Sequence, residues 1–255
     1  EEQLIVRTGY TATYTNVAFG RPQPRMPYRL RAGVEIAGYI PRLISALGGT
    51  KTNESGRNTI LGLPYAEYIK ADLDFAPTYK FDDINTLAGH IAIGYAYPFG
   101  NSLALPFEKR YYGGGANGIR GWSTRSLGPG TYNSELQGYD FANKTGDIKL
   151  DMSLEFRRKL TNMFELAAFV DAGNIWTIRE YQSQPGGAFS FSTFYKELAA
   201  AYGMGLRLDL NFLLLRVDLG MKAHDPARPV GERWSLIKPN FGRDFAFHFA
   251  IGYPF

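Results

Sequence analysis

The chain has 255 residues, a formal net charge of +4 and no cysteine. The lack of cysteine excludes a disulfide-stabilised scaffold and a metal site built on thiolates. No run of like charges predicts a nucleic-acid-binding arm, so nucleic acid is not expected among the partners. The 29 Gly, 17 Tyr and 18 Phe favour β-strands joined by tight turns.

No stretch of the sequence approaches the ~20 apolar residues that a membrane helix needs. The first residues, Glu1 to Leu4, lack the basic region and apolar core of a signal peptide, which predicts a boundary inside a longer chain. The slightly negative mean hydropathy does not exclude a membrane β-barrel, because its strands place apolar residues only at alternate positions.

Alternation of apolar and polar residues predicts about nine strands, most of them near the ~9–11 residues that cross a bilayer. No segment shows a helical period. In chain order the predicted strands are 3–17, 28–40, 69–75, 87–99, 147–157, 164–175, 198–210, 215–223 and 242–255. In the last of these, one face carries Phe245, Phe247, Phe249, Ile251, Tyr253 and Phe255.

The connections alternate in length. Short ones near 20–26, 81–85, 158–162 and 211–213 alternate with long polar ones near 42–63, 100–145, 177–197 and 224–241. This pattern is typical of a transmembrane antiparallel up-and-down β-barrel with short periplasmic turns and long external loops. We therefore predict an all-β fold, with residues 1–255 forming a single barrel domain and Phe255 at the periplasmic side.

A soluble β-sandwich or a lipocalin-like barrel is the alternative, with its apolar face inside and strands of ~5–6 residues. The longer predicted strands and the aromatics near their ends favour the membrane barrel, where such residues form interfacial girdles. Those aromatics are Tyr97, Phe99, Phe156, Phe164, Trp176 and Phe255. Because bacterial barrels have even strand numbers, the odd count predicts further strands upstream of Glu1.

Three motifs occur in order along the chain. The long connection 100–145 contains Ile119-Arg120-Gly121-Trp122 after a glycine-rich stretch with Gly113, Gly114, Gly115 and Gly118. The segment Phe169–Asn174 has the form F-x-D-x-G, and the chain ends in F-x-F-x-I-G-Y-P-F, which includes Phe249, Ile251, Gly252, Tyr253 and Phe255. With them the chain resembles the BamA/TamA superfamily, also called the bacterial surface antigen family. The hallmark of that family is (V/I)-R-G-(F/Y/W) in the long loop before the last five strands.

The resemblance implies that this chain forms the last nine or so strands of a barrel with about 16 strands. It also implies that the loop 100–145 folds back into the barrel lumen and that its arginine pairs with acids of the inner wall. Side-chain parity places Glu155 and Asp171 on inner faces, so we predict that Arg120 pairs with Asp171, with Glu155 as a second acid. Small inner residues at 88–96 and 199–205 leave a groove for this loop, and its glycines permit positive φ.

Without the other two motifs, Arg120 would be read as a surface arginine in a glycine-rich turn and Asp171 as an ordinary lumen acid. With them, the resemblance implies a non-enzymatic factor that inserts, assembles or translocates proteins at the bacterial outer membrane. Its seam would lie between the first and last strands, with residues 249–255 at the seam. The implied partners are outer-membrane lipids, client outer-membrane or secreted proteins, and periplasmic or envelope accessory proteins.

A polypeptide-secretion pore or a passive outer-membrane channel is the alternative function. The sequence has neither a G-x-S-x-G elbow nor a Ser-His-Asp pattern, so we expect no enzymatic role. His90, His224 and His248 lack a convergent ligand set, so we expect neither a metal nor a cofactor.

Overall fold

The computed structural model describes residues 2–18, 22, 24–48, 51–133, 142–236 and 238–255. Parts of the predicted turn 20–26 and of the connection 100–145 fall outside these ranges. The strands are β1 (Arg7–Thr15), β2 (Tyr28–Ala37), β3 (Lys51–Thr52), β4 (Asn58–Ile60), β5 (Leu63–Pro64), β6 (Tyr68–Lys80), β7 (Asn85–Pro98), β8 (Ile148–Lys159), β9 (Phe164–Trp176), β10 (Ala199–Asp209), β11 (Leu214–His224) and β12 (Phe245–Ile251).

Nine of these strands form one antiparallel sheet in the order β1-β2-β6-β7-β8-β9-β10-β11-β12. Each strand pairs with its neighbour in the chain, as in the β7–β8 ladder from Asn85↔Arg158 to Tyr95↔Ile148. The predicted all-β, up-and-down topology is therefore confirmed. Strands β1 and β12 lie at the two ends of the sheet, and no ladder between described residues joins them.

The two faces of the sheet have the opposite character from those of a soluble core. On β8, Leu154 and Phe156 are 46% and 40% exposed, whereas Asp151 and Glu155 are 2% and 0% exposed. Strands β8 to β11 repeat this arrangement, with exposed aliphatic and aromatic rows outside and buried charges inside, and β7 and β12 have the same outer rows with buried His90 and His248 inside. Each Å² of apolar surface left in water costs about 25 cal/mol, so such rows require hydrocarbon around them. This distribution excludes the soluble sandwich and fits a membrane-embedded barrel wall.

Within the residues that the structure describes, two short α-helices interrupt the strands. Helix α1 (Tyr39–Ala46) follows β2 and precedes the small sheet β3–β4–β5, and helix α2 (Phe241–Asp244) precedes β12. The prediction of no helix was wrong for α1, whose two turns are too short to register in a window of ~11–18 residues. Among the described residues, no helix is long and apolar enough to cross a membrane.

Trp176 does not belong to an aromatic girdle, contrary to the prediction. Its side chain is buried, and its indole Nε1–H donates a hydrogen bond of 2.7 Å to a carboxylate oxygen of Glu197. Phe189 and Phe194 pack edge-on against it, with ring centroids 5.5 and 6.4 Å away. Trp176, Phe189 and Phe194 thus form an aromatic cluster between the end of β9 and the connection to β10.

The last residues also depart from the prediction, which placed Phe255 in the outward row. Strand β12 ends at Ile251, and Gly252 takes a φ of +82°, a conformation that turns the chain out of the strand. Phe255 stacks on the ring of His90 with centroids 5.0 Å apart, and the guanidinium of Arg157 lies 4.3 Å from the ring centre of Tyr253. His90 and Arg157 are inner-face residues, so the terminal aromatics turn toward the interior.

Asp244 stabilises the connection between β11 and β12 through its hydrogen bonds. Its buried carboxylate accepts hydrogen bonds from Arg228, from Nε of Arg243 at 3.1 Å and from the Asn240 N–H at 2.9 Å. Burial alone would raise the pKa of Asp244, but the hydrogen bonds from Arg243, Asn240 and Arg228 outweigh it and hold the pKa at about 2, against an ordinary 3.8. The charged carboxylate therefore stabilises this connection at neutral pH.

Replacing Asp244 with asparagine should loosen this connection without unfolding the sheet. At pH 8 we expect trypsin to cut after Arg233 several-fold faster, because a neutral amide binds the guanidinium groups of Arg228 and Arg243 less strongly and the connection that contains Arg233 loosens. Glu232→Gln removes the same charge from an exposed site of the same connection and is the control.

The pKa of Asp244 also predicts how the stability of this connection depends on pH. A folded-state pKa below the unfolded one means that the stabilisation is complete above pH 3.8 and is lost as the pH falls through about 2. Pepsin should therefore cut the connection faster in Asp244→Asn than in the wild type at pH 4 and at nearly the same rate at pH 2, and an unchanged ratio of the two rates would contradict the assignment.

Candidate loop-anchoring site on the inner face

The base of the long loop rests on the inner face of β6 and β7. Tyr111 pairs with Gly146 across the loop, and its hydroxyl donates a hydrogen bond of 2.6 Å to Asp72. The Nζ of Lys70 lies 4.0 Å from the centre of the Tyr111 ring. A Cβ at Gly94 would be 2.4 Å from Cζ of Tyr111, so the small inner residue of β7 leaves the space that this ring fills.

The glycines of the loop serve two different needs. Gly114 and Gly115 have φ of +84° and +97°, which agrees with the predicted positive-φ backbone. Gly113, Gly118 and Gly121 do not have positive φ, so that part of the prediction was wrong. They instead permit close approach: a Cβ at Gly121 would be 2.8 Å from Cβ of Ala201 on β10, and one at Gly113 would be 3.2 Å from Leu127. The Gly115 N–H donates 2.8 Å to the Trp122 carbonyl and closes a compact turn.

Arg120 lies at the end of this turn and has no exposed surface. Its Nε and one Nη donate hydrogen bonds of 2.8 Å each to the two oxygens of Asp171, and its backbone N–H donates 3.0 Å to the same carboxylate. Its other Nη donates to Glu155. The guanidinium lies 3.5 Å from the ring centre of Phe169, two residues before Asp171 on β9. The structure thus brings Arg120 onto both predicted acids.

The acids belong to a wider network of buried charges. Arg207 on β10 donates 2.9 Å to Glu155 and 2.7 Å to Asp218 on β11, and Arg157 donates 2.7 Å to Glu155. Arg216 Nε lies 3.3 Å from Asp218. The network contains four arginines, at 120, 157, 207 and 216, and three carboxylates, at 155, 171 and 218. It has one more positive than negative charge, and each carboxylate has an arginine partner, as buried charges require.

The backbone of the motif also touches β11 and β12. His248 Nε2 donates a hydrogen bond of 2.9 Å to the carbonyl oxygen of Arg120. A Cβ at Gly220 would be 2.0 Å from this oxygen, so only glycine leaves room for it. Arg216 donates 2.6 Å to the side chain of Asn117 in the turn. The loop therefore contacts the inner faces of β8 to β12, which curve around it.

Apolar contacts complete the seat of the loop. Ile119, Trp122 and Leu127 pack against Ala199 and Ala201 of β10 in one buried cluster. The Nζ of Lys222 lies 4.9 Å from the centre of the Trp122 ring. Two small inner residues of β10 thus fit the large side chains on either side of Arg120.

Asn174 connects the second motif to the same loop. Its buried side-chain amide donates 2.9 Å to the carbonyl of Gly130 and 2.6 Å to that of Glu197. Further along, Gln184 donates 2.9 Å to the carbonyl of Thr145. The connection between β9 and β10 therefore holds the far part of the long loop.

The predicted residues fall into two groups. Those brought together at the anchoring site are Ile119, Arg120, Gly121, Trp122, Glu155, Phe169 and Asp171, with Gly113, Gly114, Gly115 and Gly118 forming the adjoining turn. The terminal group is divided: Phe249 and Ile251 are exposed on the outer face of β12 and Gly252 ends that strand, whereas Tyr253 and Phe255 lie against Arg157, which belongs to the network of buried charges.

Sequence reasoning did not single out Arg207, Asp218, Arg216, His248 and Gly220 as parts of this site. Their positions in the sequence could have indicated them, because the alternation of side chains places all five on the inner faces of β10 to β12. The register of the short β10–β11 hairpin pairs Arg207 with Arg216 and Gly205 with Asp218, which brings these charges to the level of Glu155. Within the described ranges, no group of three His, Asp or Glu side chains is placed to hold a metal ion.

Comparison with known proteins places these features in a family. A family model described as the Omp85 superfamily domain matches residues 48–255. The chain is 26% identical over 148 residues to the outer membrane protein assembly factor BamA of Neisseria meningitidis serogroup B, covering 56% of this chain and 19% of that protein. The crystal structure of BamA from Haemophilus ducreyi lacking POTRA domains 1–3 has the same fold, with a TM-score of 0.50 at 16% identity. That match covers 97% of this chain and 55% of the other. The chain thus spans about half or less of the length of these relatives.

Proposed function

The chain belongs to the Omp85 superfamily of outer-membrane β-barrel proteins, and we propose that it is the barrel segment of a factor that inserts or assembles client proteins in the bacterial outer membrane. The clients would be outer-membrane or secreted proteins. Outer-membrane lipids surround the barrel, and periplasmic or envelope proteins would deliver the clients. The proposal assigns it no enzymatic step.

The buried Arg120 is the observation that carries this proposal. Ordering a long loop costs roughly 1–2 kcal/mol per residue in backbone entropy, and contacts with the inner wall must offset this cost. A loop that had no function at the wall would not need so many such contacts. The contacts of Arg120 with Asp171 and Glu155 hold the loop against the wall, and His248 extends the contact to β12. We propose that the loop lies in the barrel lumen and supports the last strand from inside.

The short last strand supports a lateral seam. Strand β12 has seven residues, whereas β10 and β11 have eleven each. Fewer ladder hydrogen bonds make an edge easier to release, and the ladder goes no further than the bond that Gly252 donates to Leu214, since Pro254 has no N–H to donate. Client strands would then pair with the free edge of β12 by β-augmentation.

A disulfide across the seam tests this proposal. In the full-length protein, Phe249→Cys would be combined with a cysteine at the facing position of the first barrel strand, and insertion of a reporter barrel into vesicles would be measured. We expect insertion to fall at least ten-fold on oxidation and to recover on reduction. The control pair Leu219→Cys/Phe247→Cys joins β12 to its existing neighbour in register and should leave insertion unchanged. Full insertion with the seam disulfide formed would refute the seam.

A polypeptide-secretion pore is the second candidate function, since the same loop could gate a conduit for an unfolded chain. The close fit of the loop to the inner faces of β8 to β12 favours the seam over an open channel. The number of upstream periplasmic domains and the single-channel conductance discriminate the two functions. A large, stable conductance of the wild-type protein would favour the pore.

A further inference from the structure

Helix α1 has an apolar face that no other part of the described protein covers. Ile40, Leu43, Ile44 and Leu47 recur at helical spacing and are 42%, 63%, 39% and 81% exposed. On the opposite side of the helix, Arg42 reaches the buried carboxylate of Glu67 at 3.7 Å, and Pro41 is buried. The helix is therefore attached to the sheet by its polar side and presents aliphatic side chains away from it.

The direction of the helix is fixed at Gly38. This residue has a φ of +90°, and a Cβ there would be 2.5 Å from Cγ of Glu67 and 2.6 Å from the carbonyl oxygen of Ala66. Its N–H donates 3.0 Å to the carbonyl of Val6, and its own carbonyl accepts 2.9 Å from the N–H of Arg42. The turn between β2 and α1 is thus held from both sides, and α1 does not have the freedom of an ordinary surface loop.

The apolar face continues the lipid-facing surface of the sheet. Strand β2 ends at Ala37, two residues before α1, and its outward residues Val34 and Ile36 are exposed like those of the other strands. The hydroxyl of Tyr39 lies 2.8 Å from Oγ1 of Thr8, which pairs with Ile36 on the outward side of β1. The connection that contains α1 lies on the same end of the sheet as the long loop 100–145, the external end of the barrel. The helix therefore begins at the external border of the surface that hydrocarbon covers.

We propose that α1 is an interfacial membrane helix, with Ile40, Leu43, Ile44 and Leu47 inserted into the lipid leaflet at the external border of the barrel wall. The continuity of this face with the outward rows of β1 and β2 favours lipid as its occupant over a second protein. Four aliphatic side chains without a polar group are also the composition that buries in the boundary between headgroups and acyl chains. The helix anchors the external end of the β1–β2 hairpin to the bilayer and holds the adjoining connection close to the surface. This inference rests on the membrane location of the barrel and not on its role in assembly.

Depth-dependent quenching tests the proposal. In the full-length protein, single cysteines at Leu43 and at Leu47 would be labelled with an environment-sensitive fluorophore and reconstituted into phosphatidylcholine–phosphatidylglycerol vesicles. Ala46→Cys, on a different side of the same helix, and Glu54→Cys, in the adjoining connection, are the controls. This chain has no native cysteine that would compete for the label.

We expect the labels at Leu43 and Leu47 to emit at shorter wavelength and to be quenched at least three-fold more by lipids with nitroxides near the headgroup than the controls are. Iodide in solution should quench the controls more. Labels at Leu43 and Leu47 that are quenched by iodide like the controls would overturn the proposal. Shielding from both quenchers would also overturn it, because it would show that protein covers the face. Leu43→Ser/Leu47→Ser with a label at Ile40 keeps the test valid if one labelled variant folds poorly, and it should abolish the lipid quenching.

Discussion

Replacing Arg120 with alanine is expected to release the turn of the long loop from the inner face while the sheet stays folded. Asp171 would lose both hydrogen bonds from the Arg120 side chain and keep only the one from the backbone N–H of residue 120, whereas Glu155 would keep Arg157 and Arg207. A buried carboxylate without a charged partner costs several kcal/mol, so the loop should move and admit water to Asp171. Charge-assisted hydrogen bonds of this kind contribute about 1.5–3 kcal/mol, which predicts about 10- to 100-fold faster hydrogen exchange in residues 113–127.

Hydrogen exchange, heat-modifiability on gels and insertion of a reporter barrel measure loop mobility, fold and activity separately in this variant. We expect a folded barrel with insertion at least ten-fold slower. Arg120→Lys keeps the charge but loses the two-pronged contact with Asp171, and it should fall between the wild type and Arg120→Ala. Arg125→Ala removes an arginine of the same loop that contacts Phe107 and Tyr112 instead of the network, and it should insert at the wild-type rate. Native exchange rates in Arg120→Ala would refute the anchoring role.

The reversed pair Arg120→Asp/Asp171→Arg is expected to recover only part of the activity. An arginine at 171 would still find Glu155 nearby, since Ser153↔Asp171 and Glu155↔Phe169 are neighbouring pairs on the inner face, with one outward pair between them. An aspartate at 120, however, would lie close to Glu155 and Asp218, which the native guanidinium contacts. Partial recovery above both single variants, measured as reporter insertion, would support direct contact. Recovery no better than that of either single variant would argue against it.

Side-chain parity explains why the wall of this barrel and the pairing of Arg120 could be predicted from the sequence. Lipid outside and charges inside require strict alternation over each strand, so the face of Glu155 and Asp171 follows from counting along β8 and β9. The strand order follows from the short turns. The extent of the charge network could not be predicted in the same way. Arg207, Asp218 and Arg216 come together only through the register between neighbouring strands, and a slip of one residue in that register would turn their side chains to the other face.

The wrong predictions lie where alternation gives way to local packing. Trp176 continues the pattern of β9 in the sequence, but a hydrogen bond to Glu197 and contacts with two phenylalanines bury it. Phe255 continues the pattern of β12, but the positive φ of Gly252 ends that strand first. Helix α1 was missed because two turns carry too little periodicity. For Trp176 and Phe255 the deciding feature is a contact with a different part of the chain or a single backbone angle, and the alternation of residues records neither.

Replacing Gly220 with alanine should displace the loop as effectively as removing Arg120, although every charge of the network remains. The new Cβ would lie 2.0 Å from the carbonyl oxygen of Arg120 and 2.7 Å from its carbonyl carbon, both backbone atoms that cannot rotate away. Relief requires a shift of about 1 Å, and overpacking of this kind costs about 1–3 kcal/mol. The shift would carry the guanidinium away from Asp171 and the carbonyl away from His248. We therefore expect faster hydrogen exchange in residues 113–127 and a loss of reporter insertion comparable to that of Arg120→Ala.

Gly33→Ala is the matched control, because Gly33 is an inner-face glycine of β2 whose added Cβ would meet only Oγ1 of Thr11 at 3.4 Å and a backbone oxygen at 3.9 Å. Alanine in a strand loses less conformational entropy on folding than glycine by roughly 0.5–1 kcal/mol, so this variant should be neutral or slightly stabilised. The same gain applies to β11 in Gly220→Ala, so a mobile loop in a barrel of undiminished stability would identify the backbone contact as the cause. Native exchange protection of the loop in Gly220→Ala would show that the close approach of Arg120 to β11 does not hold it in place.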